Sequence, residues 1–321
     1  MWSKKTNSLL SLYRVIFAIG ILLYHDYVPV RVPFFHKANF FVDFFFVLSG
    51  FFFLKSIAKF DKMDTFPSMK TYLVNRLKKM GIPLLISYLC NVLFSILNPN
   101  GLHILHYLWF IHILLIMELL FLFIYKVSEN SKKVVFIAAG IVFVVGFGLY
   151  LIPDFANMDE FRGICYLPLG ILCSFLPPIK SVQRSKVLSV LCILCCWTLF
   201  GGTVLLVYQF PATIKLLALF IFPALIYFTM HLEVEIPLFK NLPRMSLWLY
   251  IYQSVPYLLR AIEFGNNTAH FFIILGLIFF TEEMYLVAEF MPKEMKEKIK
   301  GKLKNCFNFK KWFQKKIKAK A

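Results

Sequence analysis

The chain is short of what a soluble multidomain enzyme needs. Only 16% of its 321 residues are charged, and acids are scarce, with 17 Asp and Glu against 35 Lys and Arg. No stretch is rich enough in Pro, Gly or Ser to serve as a linker, and no sizeable polar segment lies outside the apolar runs, so one domain followed by a basic tail is expected. The seven cysteines form no metal or redox pattern. Cys192, Cys195 and Cys196 share one apolar run, where a thiol behaves as a small hydrophobe, and Cys306 stands alone. His103 and His106 have a metal-like spacing, but no neighbouring acid or cysteine completes a set, so no metal is expected. No inverted internal repeat of the transporter type is visible. A cleavable signal peptide is not expected either, because the first apolar run is span-length, lacks a small-residue cleavage site, and carries Arg14 and His25 inside it.

What the chain does have is apolar surface. Hydrophobic residues make up 60%, 38 residues are Phe and mean hydropathy is +0.71, whereas a soluble domain is roughly half apolar. Runs of about 20 apolar residues match a helix crossing about 30 Å of hydrocarbon. The fold class expected is therefore an all-α polytopic membrane protein of about ten transmembrane helices. These fall near residues 8–28, 39–57, 80–97, 104–125, 134–152, 163–179, 187–208, 214–232, 246–263 and 270–291. Residues 1–292 form the transmembrane domain in this reading, and residues 293–321 a basic cytoplasmic tail.

Orientation follows from the basic residues, since positively charged short loops stay in the cytoplasm. Alternate segments hold Lys4 and Lys5, then Lys59 to Lys79, then Lys126 to Lys133, then Lys180 to Lys186, then Lys240 and Arg244. The opposite loops hold little beyond Arg31, Lys37 and Arg162. Both termini are thus expected in the cytoplasm. The formal charge of +18 is not read as a nucleic-acid signal, because twelve basic residues lie between Lys293 and Lys320, next to the last span. Such a cluster is drawn to anionic lipid headgroups, and the interleaved Phe307, Phe309, Trp312, Phe313 and Ile317 suit an amphipathic helix on the membrane surface.

The first two spans carry charge, which is expensive in hydrocarbon and usually functional there. Eleven helical steps lead from Arg14 to His25, bringing a helix round to within about 20° of its start and about 16 Å along its axis. The two share a face and can line one channel, or each can snorkel to its own headgroup layer. Asp43, on the second span, lies at about the depth of His25. A carboxylate there can fix the tautomer of the imidazole and leave its other nitrogen as a general base. Asp26 competes for that role, with a solvated helix end as its plainer reading.

As an arrangement these residues resemble the acyltransferase 3 family of integral membrane acyltransferases. Arg14 to His25 has the R-x10-H spacing of the family's first span, and Phe41 to Phe52 looks like its V-D-x-F-F-x-L-S-G segment. Arg76-Leu77-Lys78-Lys79-Met80-Gly81-Ile82-Pro83 is similar to the basic segment before the third span, and Leu108-Trp109-Phe110 to the Leu-Trp-Phe motif of the fourth. Ser246-Leu247-Trp248-Leu249-Tyr250 resembles the late Ser-Tyr-x-x-Tyr-Leu segment. The resemblance implies transfer of an acyl group, most often acetyl from cytoplasmic acetyl-CoA, to a hydroxyl of a cell-surface glycan or lipid-linked sugar. It also implies His25 as the catalytic histidine, Arg14 as its companion, Arg76 and Lys79 as a cytoplasmic basic pair, and Trp109 as a position tied to activity. Two departures stand out: Lys79 replaces the common arginine, losing its planar fork, and Gln253 replaces the histidine of Tyr-x-x-His.

The chemistry of coenzyme A fits this division independently, since its phosphates call for cations such as Arg76, Lys78 and Lys79 on the cytoplasmic side, with the catalytic group further in. The same cations also serve as ordinary topology signals. Glu118 is expected to face the interior as a partner for Arg14, and His112 to be a satisfied interior group. Trp109 is read as functional or as an interfacial anchor, and Arg162 and Arg260 as contacts for an acidic acceptor or as snorkelling residues. The Phe-rich stripes at 44–46 and 51–53 are read as lipid-facing or packing surface. The rival readings are a lipid acyltransferase and a glycan or lipid transporter without acyl transfer. Assembly with further copies of the chain is left open.

Overall fold

The computed structural model describes residues 7–24, 40–97, 109–152, 159–179, 182–206, 211–232, 234–236, 242–252, 255, 267–290 and 295. Among them the chain is all-helical and no strand occurs. The helices are α1 (Ser8–Tyr24), α2 (Phe41–Ile57) with a 3-10 turn (Ala58–Phe60), α3 (Thr65–Leu97), α4 (Trp109–Val127) and α5 (Lys132–Leu151). They continue as α6 (Asp159–Ser174), α7 (Val182–Leu206), α8 (Pro211–Thr229), α9 (Leu242–Tyr252) and α10 (Asn267–Phe290). Each expected span overlaps one of these helices, in order. Three stretches among the described residues, Phe41–Phe60, Trp109–Val127 and Lys132–Leu151, are long and apolar enough to cross a membrane unaided.

One boundary differs in kind. The basic segment expected as a loop before the third span is the N-terminal half of α3, a continuous helix of 33 residues. At 1.5 Å per residue it is about 50 Å long, well beyond the apolar thickness of a bilayer. Lys70, Arg76, Lys78 and Lys79 therefore ride on a rigid element. An i, i+4 spacing then sets Tyr72 beside Arg76.

Residues 1–275 form one compact unit. Within it α2 is enclosed on nearly every side, with Phe44, Phe46, Val47 and Phe53 fully or almost fully buried. Of the two Phe stripes, Phe44, Phe46, Phe51 and Phe53 are buried while Phe45 and Phe52 are half-buried, so both stripes are packing surface. By contrast α5 turns Phe136, Ile141, Val144 and Val145 outward, as a helix bordering lipid does. Phe17 of α1 is a hub. Its ring lies 5.3 Å from Phe41, 4.4 Å from Phe44, 5.9 Å from Trp197 and 5.5 Å from Phe222, joining α1 to α2, α7 and α8 through aromatic contacts.

The most intimate crossing is that of α2 with α6. A Cβ on Gly50 would strike the Leu167 carbonyl oxygen, and one on Gly170 would strike the Val47 carbonyl oxygen. The two backbones touch because both positions lack a side chain, the small-residue device of membrane helix pairs. Asp43 meets Arg162 at one level, and Gly50 meets Gly170 further along both chains. The helices thus run parallel. The start of α1 is pinned as well. The Asn7 carboxamide oxygen accepts the Leu9 N–H at 3.0 Å as an N-cap, its NH2 donates to the Thr229 carbonyl at 2.8 Å, and the Ser8 N–H reaches the Val234 carbonyl at 2.8 Å.

Residues 276–321 form a second unit. Its residues 276–290 are helical, and Thr281 bonds back to the Leu277 carbonyl at 2.7 Å. The expected tail, residues 293–321, falls outside the described residues apart from Met295.

Candidate active site

Five helices of the first unit enclose a cavity of about 150 Å³. Arg14 enters from α1, Phe45, Leu48 and Ser49 from α2, and Arg76 and Met80 from α3. Phe110, Leu114 and Glu118 enter from α4, and Ser246 and Tyr250 from α9. Each of the five sequence segments read as a motif therefore contributes at least one wall residue, although they are spread over more than 230 positions of the chain.

The charges in this cavity are unequal. Glu118 is fully buried and accepts a hydrogen bond from Arg76, whose side chain is 32% exposed. Arg76 also donates to the Tyr72 hydroxyl, from Nε at 3.2 Å and from Nη2 at 2.9 Å. Phenol and carboxylate together hold the guanidinium, whose Cζ lies 5.2 Å from the centre of the Tyr72 ring. Arg14 lines the same cavity and makes no hydrogen bond or ion pair with the described residues. The partnership expected between Glu118 and Arg14 is thus corrected: Arg76 is the nearer cation, because α3 extends as a helix and presents it one turn beyond Tyr72. Two guanidiniums and one carboxylate leave the cavity with one uncompensated positive charge. It is suited to an anion or to the oxygen of a polarised carbonyl.

A second polar cluster sits apart and is sealed. Asp43 is fully buried, and Arg162, 5% exposed, donates to it from Nε at 2.9 Å. The Arg162 guanidinium lies 5.6 Å from the Trp109 ring. Trp109 in turn packs on Phe46 at 6.0 Å. Snorkelling is thereby removed as a reading of Arg162, since its side chain points into protein. Trp109 packs against protein charge and aromatic rings. The two clusters are joined by an aromatic path, with Phe46 and Phe110 at 4.5 Å and Phe110 and Tyr250 at 4.9 Å.

The remaining expected residues are placed as follows. His25, the proposed base, and Arg260 lie outside the described residues, as do Asp26, His36, Lys37, His103, His106 and Gln253. Lys78 and Lys79 are exposed on the basic half of α3. The Lys79 ammonium is pushed below the usual lysine value, first by partial burial and then by the nearby charges of Arg76 and Lys59, so Lys59, read only as a topology signal, belongs to the same positive patch. His112 meets the Tyr88 hydroxyl through Nε2. Among the described residues no group of three or more His, Cys, Asp or Glu is arranged for a metal.

Sequence reasoning quoted Ser49, Ser246 and Tyr250 within motifs but gave them no role, and it had no means of finding the Asp43–Arg162 pair. The one available signal was that each acid inside a span needs a cation, which names the candidates without matching them. A family model described as an acyltransferase domain, of the acyltransferase 3 type, matches residues 8–282. Comparison with curated proteins and with solved structures gives no match.

Proposed function

The chain belongs to the acyltransferase 3 family of membrane acyltransferases, and we propose that it moves an acetyl group from cytoplasmic acetyl-CoA to a hydroxyl of a cell-surface or lipid-linked glycan. The observation that carries this reading is the convergence of five separated segments on one cavity with an excess of positive charge. Lys59, Lys78 and Lys79, with the basic foot of α3, would meet the phosphates of the donor. Arg76, fixed by Glu118 and Tyr72, and Arg14 stand further in, where the thioester end would lie.

In the proposed reaction neutral His25 takes the proton of the acceptor hydroxyl as that oxygen attacks the thioester carbonyl. A carbon–oxygen bond forms, the carbon–sulfur bond breaks, and the coenzyme A thiolate leaves and recovers the proton from histidinium. Arg14 would stabilise the charge that gathers on the carbonyl oxygen. Asp43, held from the other side by Arg162, would orient the imidazole. Arg260 and Trp109 remain proposed contacts on the acceptor side; Arg162 is better supported as the residue that holds Asp43.

The test is ester-linked acetate on isolated surface polysaccharide, measured by proton NMR, in cells lacking the protein and complemented with wild type or His25→Ala at matched abundance. Acetate that returns with wild type alone supports the reading. Acetate independent of the protein removes the glycan acceptor and moves lipid acylation ahead.

A further inference from the structure

The cavity has two unlike ends. On α4, Glu118 and Phe110 both line it, and the eight residues from one to the other set them about 12 Å apart along the helix axis. Glu118 marks the charged end, where it meets Arg76. Phe110 marks the other, where its ring lies 6.2 Å from that of Phe45 and 4.9 Å from that of Tyr250. Between the two levels the wall is apolar, with Leu114 midway along α4 and Met80 one turn past Arg76 on α3. Arg76 follows the basic foot of α3, so the charged end is the one nearer that foot and the three rings lie beyond it.

These rings form a ceiling with little room to yield. Phe45 rests on Phe44 at 5.6 Å and Phe110 on Phe46 at 4.5 Å, and both supporting rings are fully buried. Tyr250 is buried as well. Side chains packed to this degree resist even one added methylene. The space beneath them is small. An apolar cavity of about 150 Å³ admits a ligand the size of benzene. The end of an acetyl thioester, from its methyl group to the carbon beyond sulfur, is of that size, and a butyryl chain is not.

Resting on the donor reading above, we propose that Phe45, Phe110 and Tyr250 set the length of the acyl group this protein accepts, closing the cavity just beyond a two-carbon chain. In that reading the acyl group is the leading end of the donor, because the phosphates stay at the basic foot of α3 and the thioester lies further in. Its methyl group therefore meets the rings, and a longer chain has to displace them. The three side chains select the substrate and take no part in bond making.

The test is equilibrium binding of acetyl-, propionyl- and butyryl-CoA to the purified full-length protein, by isothermal titration. Wild type is expected to bind butyryl-CoA at least about tenfold more weakly than acetyl-CoA, the scale of surplus methylenes in a rigid apolar pocket. Phe110→Ala opens the ceiling and is expected to bind the two alike. Phe45→Leu is a milder cut at a half-buried ring; it should narrow the gap in the same direction, and it decides the matter if Phe110→Ala does not fold. Phe52→Ala, on α2 but not lining the cavity, should keep the wild-type preference. Equal binding of acetyl- and butyryl-CoA by wild type, a preference that persists unchanged in the folded ceiling variants, or its loss in Phe52→Ala overturns the proposal while leaving the donor reading intact. If wild type binds none of the three, the donor reading falls and the proposal falls with it.

Discussion

Among the described residues two ion pairs have a fully buried carboxylate, built from the same two kinds of group, and they differ in what surrounds them. Asp43–Arg162 is closed on both sides, with side-chain exposures of 0% and 5%, beside a crossing where the backbones of α2 and α6 touch. Arg76–Glu118 is open on the arginine side, at 32%, and faces a cavity that holds a further unpaired cation. A closed pair lies out of a ligand's direct reach and ties α2 to α6, so the role proposed for Asp43 is an indirect one, through the imidazole it would orient. An open pair beside a further cation keeps guanidinium donors where a ligand can reach them, while its carboxylate stays buried. Placement relative to open space, rather than charge itself, separates the sealed pair from the accessible one.

The largest effect that tests this contrast is on the closed pair. Arg162→Leu leaves Asp43 as an uncompensated buried charge and is expected to lower stability by about 3–5 kcal/mol, seen as loss of folded protein in a detergent melting assay. Asp43→Leu combined with Arg162→Leu should recover most of that stability, since apolar replacement of a whole buried pair is often neutral. It should not recover acyl transfer, because the orienting carboxylate is gone. Recovery of both would remove Asp43 from the mechanism.

Arg14→Ala is expected to do the reverse. Transfer should fall roughly a hundredfold, the scale for removing one donor to a developing oxyanion, while the melting temperature stays close to wild type because Arg14 has no hydrogen-bond or ion-pair partner among the described residues. A large drop in melting temperature would mean that Arg14 is structural. Gly170→Leu follows in size. The new side chain pushes against the Val47 carbonyl, and overpacking of this kind costs about 1–3 kcal/mol. The loss should track the closed pair, with transfer per folded molecule nearly unchanged. Tyr72→Phe is the smallest, removing the acceptor of the forked contact from Arg76 Nε and Nη2, a loss of about 0.5–1.5 kcal/mol for each hydrogen bond. It should show as a raised KM for acetyl-CoA with kcat retained, and an unchanged KM would mean that Glu118 alone positions Arg76.

Much of the cavity was legible in the chain before folding. Arg14 and Arg76, which line it, and Trp109 and Asp43, which belong to the sealed cluster apart from it, were singled out because charge and amphipathic rings are rare and costly inside apolar runs. All five segments were recognisable as motifs, and in four of them the polar residues that interrupt an otherwise apolar helix are also ones that line the cavity. What could not be read was pairing. Glu118 was matched to Arg14 because sequence offered no depth for Arg76, whose segment looked like a loop. Once that segment is helical, Arg76 lies a single turn past Tyr72 and reaches Glu118 across α3 and α4. Arg162 gave no sign of its partner, since the 119 positions between it and Asp43 carry no local signal.

The sequence by itself determined that the protein is helical and apolar, and it singled out the few charged side chains that interrupt its apolar runs. These follow from composition and from the length of apolar runs, because a backbone in hydrocarbon must satisfy its own hydrogen bonds and a buried charge must justify its presence. Tertiary structure alone decided which acid meets which cation, which pair is sealed, and that five distant segments share one cavity. Those outcomes depend on crossings such as Gly50 with Gly170, where two backbones approach within contact, and such proximity is a property of the packed bundle that no single helix contains.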